Sequence, residues 1–210
     1  ASAGSYGLMD PIGPGIIPNT HSGTGLLMGL LAEQVGRLSR GPIEAAGKGI
    51  ILSPGDIAVR TNFATMELQG SELVVLDRRA GRITEKTAEL AAGLKDIDLG
   101  DGVRAALLPT DQHRCVLVLS GNDLSADITD TDPGSVQLPA RMKKCEFLSP
   151  GSDLAASKIN LFVHEAHRLL VDHPVNRERL SEGKLPANGI ITRGAGSPMK
   201  LDNTLQIHGV

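Results

Sequence analysis

The stretch DIAVRTNFATMELQGSELVVLDR, residues 56–78, decides the fold class. Its opening part, DIAVRTNFATM (56–66), and its closing part, ELVVLDR (72–78), are apolar and rich in β-branched residues, and ELQGS between them is a hairpin-sized link. The pattern predicts two paired strands. Period two along the first strand places Arg60 and Asn62 on one side. Arg78, Arg79 and Arg82 fall in and just after the second, so pairing brings Arg60 toward Arg78 or Arg79. Guanidinium forks match phosphate and carboxylate bidentately. A solvated basic turn balanced by Asp77 accounts for the same residues.

Working outward, VRAALLPT (103–110) and HRCVLVLSG (113–121) read as a second strand pair joined by a short turn, and ANGIITRGAG (187–196) as a short buried strand entering a Gly-rich loop. TEKTAELAAGLKDI (84–97) is expected to be helical with Thr84 as N-cap. The clearest helix runs Asp153–Asp172, where Ala155, Ile159, Phe162, Ala166 and Leu170 form one apolar stripe, with Ser152 as N-cap and Pro174 as stop. Upstream, Leu27, Leu31, Val35 and Leu38 predict a helix from Gly25 to Leu38, and SRGPIEAAGKG a short helical piece. The Gly/Pro-rich residues 1–25 and the polar residues 122–151 read as loops. The sum is a mixed α/β chain built around two hairpins and one late strand.

Composition narrows the function. At 210 residues, 40% apolar and 21% charged, the chain is an ordinary globular one. A net charge of −3 with interspersed signs leaves no basic footprint for nucleic acid, and 2% aromatics leave little to stack bases on. No apolar run approaches the roughly 20 residues that span a bilayer, so no membrane partner is expected. Cys115 and Cys145 show no CxxC spacing, which argues against a disulfide scaffold or structural zinc and fits a reducing cytoplasm. The first residue is Ala1 rather than Met, as in a processed chain or a piece of a longer one.

Several polar clusters are candidates for chemistry. In PNTHSGTG (18–25), Thr20 or Ser22 stands before an apolar helix, where an ordinary N-cap is expected. The same position suits a phosphate-accepting hydroxyl, because free N–H groups and the helix dipole attract an anion there. TDQHR (110–114) and DITDTDPG (127–134) supply His113, Arg114, Asp130 and Asp132, with Asx-turns as the plain alternative. In HEAHR (164–168), His164 and His167 share a helix face and read as solvated. Asn176 and Asn188 follow prolines, and Arg193 leaves a strand into glycines; ligand contacts and turns explain these equally.

Seven segments in order, GLMDPIGPGIIPNT, RGPIEAAGKGI, PGDIAVRTNFAT, LDRRAGRI, HRCVLVLSG, ITDTDP and HPVNRERLSEGKLPANGIITRGAG, resemble the archaeal-type cofactor-independent phosphoglycerate mutases of the alkaline phosphatase superfamily. The resemblance implies an α+β insertion domain with a mixed or antiparallel sheet and flanking helices, plus a segment of an alkaline-phosphatase-like α/β domain. On that reading residues 1–44 belong to the metal-binding phosphatase-like domain, 45–195 form the inserted phosphotransferase domain, and 196–210 return to the first. It implies interconversion of 3- and 2-phosphoglycerate through a phosphorylated Thr or Ser, with a small phosphorylated substrate and two divalent ions, manganese, magnesium, cobalt or zinc. The family's nucleophile follows a Pro-Gly or Pro-Asn pair and so falls on Thr20, with Ser22 as the alternative; many members carry Ser there, then an acid and a later His, where this chain has His21 and Thr24. Residue chemistry and the family match together assign substrate contacts to Arg60, Asn62, Arg79, His113, Arg114 and Arg193, with Asp132 orienting a hydroxyl. The family's LDGxxD strand and its later Asp and His ligands are not in this sequence, so the metal ligands are expected outside it and the segment alone is expected to be inactive. Another phosphate- or phosphonate-processing activity of the superfamily, or a non-catalytic ligand-binding fragment, are the alternatives.

Overall fold

The structure is a computed structural model that describes residue 7 and residues 11–13, 18–134 and 137–199. In chain order the elements are α1 (Thr20–Leu27), α2 (Ala32–Gly36), α3 (Arg40–Gly47), β1 (Ile57–Gln69), β2 (Glu72–Asp77), α4 (Thr87–Ala92), β3 (Ile97–Asp98), β4 (Arg104–Pro109), β5 (Arg114–Ser120), β6 (Ala140–Arg141), α5 (Asp153–Leu170), α6 (Pro174–Ser181) and β7 (Gly189–Gly196). Compact units divide between Leu38 and Ser39 and between Pro198 and Met199. The first holds α1 and α2; the second holds everything from α3 to β7.

In the second unit, β1 is the hub. Its N-terminal half pairs antiparallel with β5 and with β7, and its last five residues pair with β2. The order across the sheet is β3-β4-β5-β1-β2-β6, with β7 on β1. Alternation along β1 sends Ile57, Val59 and Phe63 into the main core with Leu117 and Leu119 of β5. That face is covered by α5, whose Ala155, Ile159, Phe162, Ala166 and Leu170 are all buried, and by Leu90 and Ala91 of α4. Burying each large side chain of this kind contributes about 1.5–3 kcal/mol. The opposite face carries Ala58, Val116 and Val118 under Ala45 of α3. Gly41 lets α3 approach: a Cβ there would lie 2.0 Å from Ala58 O. Arg60 and Asn62 fall on that second face rather than the core face, Arg60 beside Glu44 of α3.

The fold is the expected mixed α/β arrangement with an antiparallel sheet and flanking helices, and the 56–78 hairpin, the second strand pair, α3, α5 and β7 form where expected. Several boundaries differ, each for a local reason. Residues 20–25 are helical rather than loop, because Asn19 caps α1: its side chain accepts from Ser22 N while Ser22 Oγ accepts from Asn19 N. The expected helix 25–38 is broken. Gly29 sits at φ 90°, Leu30 N donates to Gly25 O and Gly29 N to Leu26 O, which is a Schellman stop, and the chain restarts as α2. The expected helix 84–97 shrinks to α4. Lys86, left-handed at φ 58°, occupies the cap position rather than Thr84, and Ile97–Asp98 are drawn onto the free edge of β4 as β3. Ser152 takes the N-cap position of α5 as expected, but its Oγ donates to Ser149 O and makes no bond to the first turn. Pro174 does not merely stop α5. It is the first residue of α6, where the missing N–H costs nothing. The two-residue β6 has no sequence signal. The N-terminal Gly/Pro loop and the 196–210 return segment fall largely outside the described residues.

Candidate functional site

Strand register assembles the candidate site. Arg60 and Asn62 lie two apart on β1; Arg114 of β5 stands opposite Asn62 and Arg193 of β7 opposite Arg60. Directly opposed residues share a face, so three arginines and one asparagine from three strands converge on the side away from the Phe63 core. β7 shifts register between Ala58 and Arg60, where Gly194 takes φ +62° and donates its N–H to Asp130 Oδ1 at 2.8 Å. A Cβ on Gly194 would lie 3.0 Å from Arg40 Cβ, so α3 crosses the strand at this bulge.

From α3, Arg40 and Glu44 join the cluster. Neither was a sequence-stated candidate; their spacing of four on a short helix, which puts both on one face, is the signal they leave. Glu44 Oε2 lies 3.0 Å from Arg60 Nε, an ion contact rather than an aligned hydrogen bond, and Glu44 Oε1 accepts the Thr110 hydroxyl at 2.6 Å. Burial first, and then the neighbouring Arg193 charge, lower the Arg60 pKa below the ordinary arginine value, with Glu44 opposing them. Burial likewise lowers that of Arg193, against Asp132.

Between the strand pairs, His113 is buried at the mouth of β5, its main-chain oxygen accepting from Phe63 N at 2.8 Å. Burial and the charges of Arg114, Arg79 and Arg60 push its pKa below the usual imidazole range, while Asp111 opposes them. Arg79 itself is exposed on the turn after β2, with its main-chain N–H on Asp77 Oδ1. The residue that points into the cluster there is Arg78. It grips Asp132 with Nε to Oδ1 at 2.7 Å and Nη2 to Oδ2 at 2.6 Å, and its carbonyl accepts from Asn62 Nδ2. Asp132 also accepts from Gly134 N and lies 4.0 Å from Arg193 Nη1. Burial works against its charged form, but the Arg78 bonds and the Gly134 N–H outweigh it and hold the carboxyl below the usual range.

Five buried polar atoms of this cluster, Arg60 Nε, Asn62 Oδ1, His113 Nδ1, Arg114 Nε and Arg193 Nε, have no hydrogen-bond partner. Buried polar groups are nearly always paired, so a concentration of orphans on one face marks a surface arranged for something else to complete. Convergent guanidinium donors with an imidazole and an amide are suited to an anion bearing phosphate and carboxylate groups.

Elsewhere, Thr20 is the exposed first residue of α1, and its hydroxyl has no hydrogen bond among the described residues. Ser22 is buried, and its Oγ is spent on both the N–H and the carbonyl of Asn19. The cap is thus Asn19, neither of the two hydroxyls. His164 is exposed as expected, but His167 is buried, with Nδ1 2.7 Å from Asn188 O. Asn176 and Asn188 are buried latches: Asn176 bonds Leu170 O and both main-chain groups of Ala187, and Asn188 bridges Met66 N and O. Among the described residues no group of three or more His, Cys, Asp and Glu side chains is placed to hold a metal ion. The described residues therefore offer no ligand set for the two divalent ions that the resemblance implies, and no chemical step here is routed through them. Among the described residues no helix is long and apolar enough to cross a membrane.

Residues 1–176 match the family described as 2,3-bisphosphoglycerate-independent phosphoglycerate mutase. The chain is 47% identical over 199 residues to the protein of that name from Methanopyrus kandleri, covering 93% of this chain and 46% of that one. It is 43% identical over 202 residues to 2,3-bisphosphoglycerate-independent phosphoglycerate mutase 1 of Archaeoglobus fulgidus, covering 93% and 48%. Among solved structures it is similar to the cofactor-independent phosphoglycerate mutase from Thermoplasma acidophilum, with a TM-score of 0.70 at 36% identity, covering 88% of this chain and 48% of that one. The chain spans about half the length of the curated relatives it matches. With the family match over most of its residues and close relatives along nearly its whole length, this chain belongs to the 2,3-bisphosphoglycerate-independent phosphoglycerate mutase family.

Proposed function

We propose that this chain supplies the phosphoryl-accepting segment and the substrate-holding domain of an enzyme that interconverts 3- and 2-phosphoglycerate. On this reading Thr20 lies in the phosphatase-like part, and the unit Ser39–Pro198, α3 included, is the inserted domain, with the division before α3 rather than at 44/45 inside it. The observation that carries it is the arginine face. Arg60 Nε, Arg114 Nε and Arg193 Nε, with Asn62 Oδ1 and His113 Nδ1, are buried donors and acceptors without a hydrogen bond, suited to a phosphoglycerate with its phosphate and carboxylate groups.

Thr20 is the acceptor. Its Oγ1 attacks phosphorus as the bond from phosphorus to the glycerate oxygen breaks, and the hydroxyl proton ends on the released glycerate oxygen. After the glycerate turns, its other hydroxyl oxygen attacks phosphorus as the bond from phosphorus to Oγ1 breaks, and that hydroxyl's proton ends on Oγ1, so the net change is isomerisation. Phosphoryl transfer needs little covalent help beyond this; positioning and neutralisation of charge dominate, and those are what the guanidinium groups provide. Asp132, with both carboxylate oxygens engaged, acts by fixing Arg78 and Arg193. Arg79, exposed beside them, meets the substrate only from the rim.

The test is mutase activity of the full-length enzyme carrying Thr20→Ala or Ser22→Ala. Thr20→Ala is expected to lose turnover by several orders of magnitude without loss of melting temperature. Ser22→Ala is expected to keep activity and lose about 1 kcal/mol of stability with its two bonds to Asn19. Wild-type turnover in the Thr20 variant overturns the assignment.

A further inference from the structure

Glu44 is a carboxylate set among guanidinium groups. Its place is fixed by packing: α3 lies against β1 at Gly41, and the adjacent Ala45 is fully buried against Ala58 and Val116. Its two oxygens reach across two other elements, Oε2 to Arg60 Nε on β1 and Oε1 to the Thr110 hydroxyl after β4. Both members of the Arg60–Glu44 pair are largely shielded, with side chains 15% and 19% exposed. The nearby charges acting on Arg60 are otherwise positive, from Arg193, Arg114 and Arg40. Of the other carboxylates near the cluster, Asp132 is matched by Arg78, Asp111 pairs with Arg114, and Asp130 accepts from Gly194 N.

We propose that Glu44 is a specificity-determining residue of the arginine face. It fixes Arg60 from the Nε side and holds down the positive charge, setting how tightly a phosphorylated anion is kept and how fast it leaves. The physical basis is simple. The Arg60 fork keeps its terminal nitrogens for an incoming oxyanion while Nε faces Glu44. A fixed negative charge a few ångströms from a bound anion weakens it, and partial burial limits screening by salt. The proposal rests on the reading of this face as the phosphate site.

Glu44→Gln isolates the charge. The amide oxygen can stay on Arg60 Nε, and the amide N–H can donate to the Thr110 hydroxyl, which turns to accept. Titration calorimetry of the chain with inorganic phosphate, and separately with 3-phosphoglycerate, is expected to show about tenfold tighter binding for Glu44→Gln at low salt, the size of effect a lost charge contact gives at partial burial. Melting temperatures are expected to stay level. Glu165→Gln, which removes a partly exposed carboxylate paired with Arg168 on α5, should leave both affinities within about twofold, since the sheet and its main core lie between it and the arginine face. In the full-length enzyme kcat and KM are both expected to fall in Glu44→Gln, a split that mere loosening of the fold does not produce. Glu44→Met, uncharged and of similar length, carries the same expectation if the glutamine variant does not fold. Unchanged or weaker anion binding in a folded Glu44 variant, or equal tightening by Glu165→Gln, overturns the proposal. Failure of the wild-type chain to bind either anion overturns the phosphate-site reading beneath it, and the proposal with it.

Discussion

His113 shows how single residues in the cluster are tuned by what faces them. Burial disfavours its proton most, Arg114, Arg79 and Arg60 add to that, and Asp111 opposes them, so the folded imidazole titrates below the unfolded one. An unfolded imidazole titrates near about 6.5. The neutral form is therefore favoured by folding: its contribution is present above about pH 6.5 and is lost as the pH falls through the lower folded value. Urea denaturation between pH 7.5 and 5.5 is expected to show wild-type stability dropping more steeply than that of His113→Gln. Parallel curves for the two proteins contradict the assignment. The same cluster shows what residue chemistry could and could not reveal in the sequence. Arg60 and Asn62 were legible because strand period two holds along β1, and Arg193 because it precedes a bulge that only glycine at φ +62° makes. Arg78 and Arg79 were not separable, because periodicity ends where the chain turns through Ala80, Gly81 and Arg82, all at positive φ. Only the tertiary contact of Asp132 with Arg78 decides which of the two faces inward.

The elements explain why those side chains meet. The turn after β2 is fastened from outside the sheet: Arg179 of α6 donates to Ala80 O and to Leu185 O, both at 2.9 Å. The helix α6 left no strong trace in the sequence, since a proline after a long helix reads as a stop whether or not a new helix begins there. His167 was misread for a related reason. A stripe centred on Phe162 defines one buried face of α5, but the segment leading into β7 covers a second, where His167 meets Asn188 O. On the other side of the sheet, α3 depends on Gly41. With a Cβ 2.0 Å from a main-chain oxygen, Gly41→Ala forces the helix off β1, because the obstacle is backbone that cannot rotate away. Overpacking of this kind costs about 1–3 kcal/mol. Since α3 carries Arg40 and holds Glu44 against Arg60, the variant is expected to change anion affinity as well as lose melting temperature. A Gly41→Ala protein that melts lower but binds phosphate as the wild type does would show that α3 plays no part in the site.

At the scale of the whole molecule, holding an anion and turning it over separate. The unit between Ser39 and Pro198 contains the sheet, the main core and the complete arginine face. Thr20 belongs to the other unit, and the described residues include no group of metal-ligating side chains. The fold of the larger unit was legible because two hairpins and one amphipathic helix are local patterns. The boundary at Leu38/Ser39 was not, because it falls inside a run of short helices with no change of composition. On the proposed reading, binding needs only groups fixed by the sheet and α3, whereas phosphoryl transfer needs the Thr20 hydroxyl activated. The 210-residue chain is therefore expected to bind 3-phosphoglycerate in calorimetry. That affinity should fall as salt rises from 0.02 to 0.5 M, because screening shortens to well below about 10 Å over that range. In a coupled assay with manganese the same preparation is expected to show no turnover, while the full-length enzyme does. Turnover by the short chain would mean that it assembles the reaction centre by itself. A folded chain that ignores 3-phosphoglycerate at low salt would mean that the orphaned donors of Arg114 and Arg193 serve something other than its phosphate and carboxylate.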